Sequence, residues 1–362
     1  MAGRQAILTG GDYALVQASL HLAPLLRMLG RFEEDLFGAD LHRIEIEAPI
    51  FVTGLARSGT TMMLTLLSQA AGVATHRYRD FPFLFAPLAW NRFQDFMRPA
   101  AAEAVERPHR DRIRITRESP EAFEEPLWQA FFPVTHDPAR YHVLGPDTQN
   151  SAFEACFGSH LRKILWLRAG TRYLSKGNYN ATRIGYLSRL FPDARFVVPI
   201  REPLAHVQSL VRQHQLFCAY ASQDARVPAY LAAAGHYEFG PQRRPINADP
   251  ARIGEIERAW RSGDDYRGYA RQWAQVYLHV DRLRREERLG RRLRVVRYED
   301  ACAGGEAVSR ELLEFCGLSD PDGRVRAAAA KLVAPPPEPV GEREAHAVRE
   351  EAASVASLYG YR

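Results

Sequence analysis

Apolar and polar positions along this chain follow two periods. From Asp12 to Leu29 the apolar residues Leu15, Ala18, Leu22, Leu25, Leu26 and Leu29 recur at helical spacing, which predicts a leading helix with Asp12 as its N-cap. Pro49-Ile-Phe-Val-Thr-Gly54 is a short continuous apolar run ending in glycine, the pattern of a strand buried on both faces. A helical period follows from Thr60 to Ala71. The unit recurs at Ala194-Arg-Phe-Val-Val-Pro-Ile200, where Arg201-Glu-Pro203 leads into apolar positions at Val207, Leu210 and Val211; proline suits the first turn of that helix. A third strand, Leu293 to Tyr298, runs through Glu299-Asp300 into a helix from about Glu306 to Cys316, capped by Gly317. Strands alternating with helices predict an α/β fold, a parallel sheet flanked by helices on both faces.

Between these units, residues 221–265 are rich in proline, glycine and charge, and read as a helical lid or acceptor-binding insertion. Tyr266 to Arg288 has the period of a long amphipathic helix, with Trp273, Tyr277 and Val280 on one side. The expectation is one α/β domain over residues 1–362, with a helical lead-in over 1–48 and a C-terminal extension over 335–362 that begins in polyproline and ends in a polar helix.

Composition narrows the function classes. Hydrophobic residues at 46% and charged residues at 25% are those of a folded chain. The net charge of +5 is carried mainly by arginine, whose forked guanidinium suits phosphate-like anions. These arginines are dispersed and no helix-turn-helix or RNA-binding aromatic motif occurs, so nucleic acid is not the expected partner. Cys156, Cys218, Cys302 and Cys316 are far apart and have no His pair at ligand spacing, so no metal site is expected. No run reaches the length of a membrane span and no signal peptide is visible, which makes the cytoplasm the expected compartment.

The chemistry begins at Gly54-Leu-Ala-Arg57-Ser58-Gly59-Thr60-Thr61, which has the glycine spacing of a P-loop between a predicted strand and helix. The fold class is therefore P-loop-like. Inward backbone N–H groups and a helix N-terminus favour a phosphate-like dianion there. The lysine that a nucleoside triphosphatase needs is replaced by Thr60, and a cation sits inside the loop at Arg57 instead. After the strand ending at Ile200, Arg201 stands where a magnesium-binding Asp belongs. Both changes disfavour ATP or GTP chemistry and favour a nucleotide with an extra phosphate, which Ser209 on the following helix could share.

These residues resemble the sulfotransferase superfamily, in particular its bacterial and tyrosylprotein-sulfotransferase-like branch. Ala56-Arg57-Ser58-Gly59-Thr60-Thr61 is similar to the family's 5′-phosphosulfate loop, with Ala in place of Pro. Arg201, Pro203 and Ser209 match its 3′-phosphate motif. Lys176, ahead of Phe191-Pro192-Asp193-Ala194, matches a lysine that donates to the bridging oxygen of the departing phosphate, and Tyr298-Glu299-Asp300 matches a late architectural element. The resemblance implies 3′-phosphoadenosine 5′-phosphosulfate (PAPS) as donor, its 3′,5′-bisphosphate (PAP) as product, no metal, and a small-molecule, glycan, lipid or peptide acceptor. The nucleotide would be held by Arg57, Ser58, Gly59, Thr60, Thr61, Arg201 and Ser209, and the reaction assisted by Arg57 and Lys176.

An acceptor also needs a general base. Asp80 is the first candidate and His76 the second, followed by a Glu of the segment 121–125; a plain ion pair from Asp80 to Arg77 or Arg79 competes with the first. A nucleotide-binding protein that has lost catalysis, and a P-loop kinase, are the alternative functions.

Overall fold

Strand β1 (Ile50–Val52) places Phe51 against one layer of the fold and Ile50 and Val52 against the other, all three fully buried. Covering on both faces is why this segment reads as an unbroken apolar run. The computed structural model describes residues 8–97, 103–111, 113–336 and 338–361. Six further strands follow among these residues: β2 (Val73–Ala74), β3 (Val105–Glu106), β4 (Arg114–Ile115), β5 (Arg172–Lys176), β6 (Arg195–Ile200) and β7 (Leu293–Arg297). Five form a parallel sheet in the order β2-β5-β1-β6-β7, and β3 pairs with β4 in a separate antiparallel hairpin.

On one face Phe51, Tyr173, Phe196 and Val198 pack with the helices Ser151–Leu167, Asp265–Arg285 and Glu342–Ser357. On the other, Ile50, Val52, Leu174 and Val197 meet Met63 and Leu64 of the helix Thr60–Leu67 and Leu312 of the helix Tyr298–Cys316. The predicted fold class is therefore the observed one. From β1 the chain runs to the edge strand β2, returns to place β5 between them, then crosses to β6 on the other side of β1. The carboxyl ends of β1, β5 and β6 consequently flank a switch in strand order, the place where open α/β sheets bind ligands.

Three sequence expectations change. The leading helix is two, Gly10–His21 and Ala23–Leu41, parted at Leu22 ahead of Pro24; the first is capped by Thr9, whose Oγ1 accepts the N–H of Asp12 at 3.1 Å. The last long helix starts at Tyr298, so Glu299 and Asp300 lie in its first turn, and it kinks at Gly305. The C-terminal helix Glu342–Ser357 is polar only on its outer side: Ala345, Val348, Ala352 and Val355 are buried against the rest of the fold. Segment 221–265 contains the helices Val227–Ala233 and Ile253–Arg261. The four cysteines are unpaired, and no described helix is long and apolar enough to cross a membrane.

Candidate active site

The loop after β1 requires glycine at two places. Gly54 has φ +139°, and a Cβ there would lie 3.0 Å from the Pro199 carbonyl oxygen; Gly59 has φ +107°, and a Cβ there would lie 2.9 Å from Tyr298 Cδ2. Both are left-handed positions that a side chain would strain. Between them Arg57 is also left-handed, at φ +72°, a conformation that non-glycine residues adopt at a cost of order 1–3 kcal/mol. That turn sends its guanidinium across the loop: Nε donates to Ser209 Oγ at 3.2 Å and Nη1 donates to Asp111 Oδ2 at 2.7 Å. The first bond joins two stretches 152 residues apart, the phosphate loop and the helix after β6.

Three guanidinium groups gather here. Burial lowers the pKa of Arg57, and the positive charges of Arg107 and Arg201 lower it further, against the opposing pull of Asp111. Arg107 comes from the β3–β4 hairpin; its Nε donates to Asp111 Oδ1 at 2.9 Å and its Nη1 to Thr61 Oγ1 at 3.4 Å. Burial alone would raise the carboxyl of Asp111, but Arg107 and then Arg57 hold it well below the usual carboxylate range. Arg201 stacks over the Tyr298 ring, 4.9 Å from its centroid, and no carboxylate among the described residues lies within ion-pair distance of it. The backbone on either side of Arg201 is pinned: Glu202 N–H donates to Glu299 Oε1 at 2.9 Å, while Tyr361 Oη lies 2.7 Å from Glu299 Oε2 and 3.2 Å from the Ile200 carbonyl oxygen.

Beside the loop a pocket encloses about 560 Å3 of empty space, the opening to solvent included. Arg57, Thr60 and Thr61 form its loop side, and Lys176, at the carboxyl end of β5, enters from the neighbouring strand. Lys176 Nζ donates to Glu121 Oε1 at 3.2 Å, and both side chains are almost wholly buried. Thr60 Oγ1 donates to Asn178 Oδ1 at 3.2 Å, Asn178 Nδ2 donates to Glu238 Oε1 at 2.8 Å, and Glu238 Oε2 lies 3.5 Å from His236 Nδ1. His236, Glu238, Phe239 and Leu231 all come from segment 221–265, so this insertion supplies one wall of the pocket.

The structure thus gathers Arg57, Thr60, Thr61 and Lys176 around the pocket and hangs Ser209 on Arg57. Ser58 is buried within the loop, and Arg201 lies outside the pocket lining but within electrostatic reach of Arg57. Asp80 and His76 do not belong to it. Asp80 is fully buried and accepts from Arg168 Nη2 at 2.6 and 2.7 Å, from the Arg77 N–H at 2.8 Å and from Asn91 Nδ2 at 3.0 Å. Burial opposes its ionisation, but Arg168, with His76 and the Arg77 N–H, outweighs that and its pKa falls below the ordinary value. A carboxylate engaged on both oxygens has no free lone pair to offer an acceptor. Its ion-pair partner is Arg168, whereas Arg77 pairs with Glu118, and Arg79 with Glu118 and Asp95. His76 is 1% exposed and stacks on His160, their Nε2 atoms 3.1 Å apart; burial pushes its pKa down to about 4. Of the segment 121–125, Glu121 lines the pocket, while Glu124 turns to Tyr173 and Glu125 to Arg183 and His136.

Arg107, His109, Asn178, His236 and Glu238 were not singled out from the sequence. Asn178 alone carried a local signal, two residues beyond Lys176; the others lie on segments without motif spacing, brought in by tertiary contacts.

The pattern of the Sulfotransferase family matches residues 49–257 of the chain, the stretch holding the loop, Lys176, Arg201, Ser209, His236 and Glu238. No curated protein matches the sequence significantly. Among solved structures, the chain is similar to sulfotransferase STF9 from Mycobacterium avium, with 18% identity over 92% of this chain and 82% of that one at a TM-score of 0.51. Sulfotransferase STF1 from Mycobacterium tuberculosis H37Rv is 15% identical over 98% of this chain and 88% of that one, at a TM-score of 0.49. At 18% identity the likeness to STF9 speaks to the fold alone.

Proposed function

The chain belongs to the sulfotransferase family, and on that premise we propose that it moves a sulfuryl group from PAPS to a hydroxyl or amine of a small-molecule acceptor. The observation that carries this reading is the bond from Arg57 Nε to Ser209 Oγ, which sets the loop for a 5′ anion beside the helix for a 3′ phosphate. The residues fit such a donor: Arg57, Arg107 and Arg201 outnumber the two carboxylates beside them, Asp111 and Glu121.

In this reading the loop N–H groups, Ser58, Gly59, Thr60 and Thr61 hold the 5′ end of the nucleotide, with Arg57 on its outer oxygens. Arg201 and Ser209 hold the 3′-phosphate. The donor supplies the activated sulfur–oxygen bond. Sulfuryl transfer spreads charge over three oxygens in an in-line transition state, as phosphoryl transfer does, so placement of fixed cations accounts for most of the acceleration. Lys176 is placed by Glu121 to meet the charge that builds on the departing phosphate oxygen. Phe217, Leu231 and Phe239 make part of the wall apolar, which suits an acceptor with a hydrocarbon or ring portion.

The test is a calorimetric titration with PAP, against ATP with magnesium. Binding of PAP without binding of ATP supports the donor assignment; the reverse result returns the chain to P-loop kinases.

A further inference from the structure

The pocket holds several groups able to take a proton from an acceptor, and their surroundings separate them. Glu121 is fully engaged: Oε1 accepts from Lys176 at 3.2 Å and from the Ala122 N–H at 2.8 Å, and Oε2 accepts from Tyr78 Oη at 2.6 Å with Arg107 Nη1 at 3.7 Å. Burial would raise its pKa, but Lys176 and Arg107 drive it far below the usual carboxylate range, and so weak a base gains little from a proton. Its position suits holding Lys176. His109 is bonded to Gln213 Oε1 at 2.9 Å, and burial, with Arg107 and Arg57 nearby, takes its pKa down to about 3.

His236 differs from both. Its side chain is 32% exposed in the pocket, whereas its partner Glu238 is 8% exposed, and Nδ1 faces Glu238 Oε2 at 3.5 Å. That oxygen is buried with no hydrogen-bond partner, so its charge favours the tautomer with Nδ1–H turned toward it, which leaves the Nε2 lone pair for the pocket. Glu238 is in turn held by Asn178, and Asn178 by Thr60 of the phosphate-loop helix. The imidazole is therefore indexed to the donor loop through two bonded side chains.

We propose that His236 is the general base of the reaction, with Glu238 and Asn178 as the positioning residues that fix its tautomer and its distance from the donor. The proposal rests on the sulfuryl-transfer reading above. In the step, the acceptor O–H or N–H gives its proton to His236 Nε2 as its lone pair forms a bond to sulfur. The bond from sulfur to the 5′-phosphate oxygen breaks, and its electron pair leaves on PAP beside Lys176. The products are the sulfated acceptor, PAP and a protonated His236, which returns its proton to water.

The groups facing His236 are Glu238 on its own segment, Lys176 at the end of β5, and Glu121, Glu124 and Glu125 across the adjoining recess. Burial lowers the imidazole pKa and Lys176 lowers it too, but Glu238 and Glu121 together outweigh them and the net direction is up from the ordinary value of 6.5. The rate is then expected to fall along an acid limb centred above 6.5, since only the neutral ring accepts a proton.

The experiment measures sulfate transferred from radiolabelled PAPS to phenol, ethanolamine and water, across pH, beside PAP affinity by calorimetry. His236→Gln should lower kcat by about 10² to 10⁴-fold and remove the acid limb, with PAP affinity within about twofold of wild type. Glu238→Gln should move the limb to lower pH, a shift that a merely structural carboxylate would not produce. If His236→Gln keeps the limb, or if only Glu121→Gln abolishes turnover, the proposal is overturned. Should no probe be sulfated, histidine-resolved NMR of the wild-type PAP complex decides: His236 titrating above the ordinary value and dropping in Glu238→Gln supports it, and a His236 that does not titrate between about pH 5 and 9 refutes it. Failure of wild type to bind PAP would instead defeat the donor reading, leaving the two failures distinct.

Discussion

Arg57 Nη1 lies 2.7 Å from Asp111 Oδ2, so the cation inside the glycine loop is already matched with a carboxylate, one carried by the β3–β4 hairpin. The same carboxylate receives Arg107. An incoming anionic group must compete with Asp111 for both guanidinium groups. Asp111→Asn is expected to tighten PAP binding by roughly fivefold, the equivalent of an ion pair worth about 1 kcal/mol. Calorimetry checks it, and weaker binding by the variant would show that Asp111 supports the site rather than competing for it.

Arg201 has a ring beneath it and no carboxylate among the described residues beside it. Arg201→Ala should therefore weaken PAP by about 10 to 100-fold, the range of a charge-assisted hydrogen bond, and leave adenosine 5′-phosphate nearly unaffected. Comparing the two nucleotides in one titration series separates a 3′-phosphate contact from a general loss of positive field, which would weaken both alike.

Lys176 is proposed to act mainly on charge that develops during transfer. Lys176→Ala should lower kcat by more than it weakens PAP, because an interaction strongest in the transition state is read in turnover. A change in affinity with kcat preserved would contradict this. Removing the ammonium also leaves Glu121 with Arg107 as its remaining cation, so the Glu121 carboxyl should titrate at higher pH in the variant than in wild type.

Asp80 and Arg168 form a buried pair outside the pocket lining. Asp80→Ala, which strands Arg168, should cost about 3–5 kcal/mol of stability in urea unfolding and leave PAP affinity of the folded protein unchanged. The pH dependence has a definite sign. The folded pKa lies below the ordinary 3.8, so the unfolded chain binds more protons in the interval between the two values. The pair's contribution is thus complete above that interval and is lost as pH falls through the folded pKa. Asp80→Asn should flatten the acid limb of stability; an unchanged limb would mean that other carboxylates set it.

Gly59→Ala tests the loop itself. With φ +107° and 2.9 Å to the Tyr298 ring, the added methyl is expected to cost more than about 1 kcal/mol and to abolish PAP binding, while Gly263→Ala, also at positive φ but with open space around it, should lose stability without losing affinity.

Local spacing made half of this site readable. The loop at Gly54 to Thr61, Lys176 at a strand end and Arg201 ahead of Pro203 each sit next to the element that positions them, so a strand followed by a turn carries its own chemistry in sequence order. Asp80 shows the limit: its guanidinium partner is 88 residues away, and nothing near Asp80 reveals that its oxygens are taken up by an ion pair. His236 and Glu238 were hidden for the complementary reason. They lie in an insertion without periodicity, and tertiary contacts such as Glu238 with Asn178, 60 residues earlier, and the Tyr237 N–H with Tyr179 show that the insertion folds back onto the end of β5. The C-terminal helix was read as polar because its buried side is largely alanine, which hydropathy patterns register weakly beside the glutamates and arginines around it.

The bonds from Tyr361 to Glu299 and to the Ile200 carbonyl have a consequence for synthesis. Ile200 and Tyr361 are 161 residues apart, yet the second helps fasten the strand end from which Arg201 projects. During translation the loop, β6 and Arg201 emerge long before this fastening, so the nascent chain carries an anion-binding surface whose Arg201 strand end still lacks its Tyr361 brace. That strand end would gain its full set of bonds only once the segment after the helix Glu342–Ser357 docks, well after the sheet is laid down.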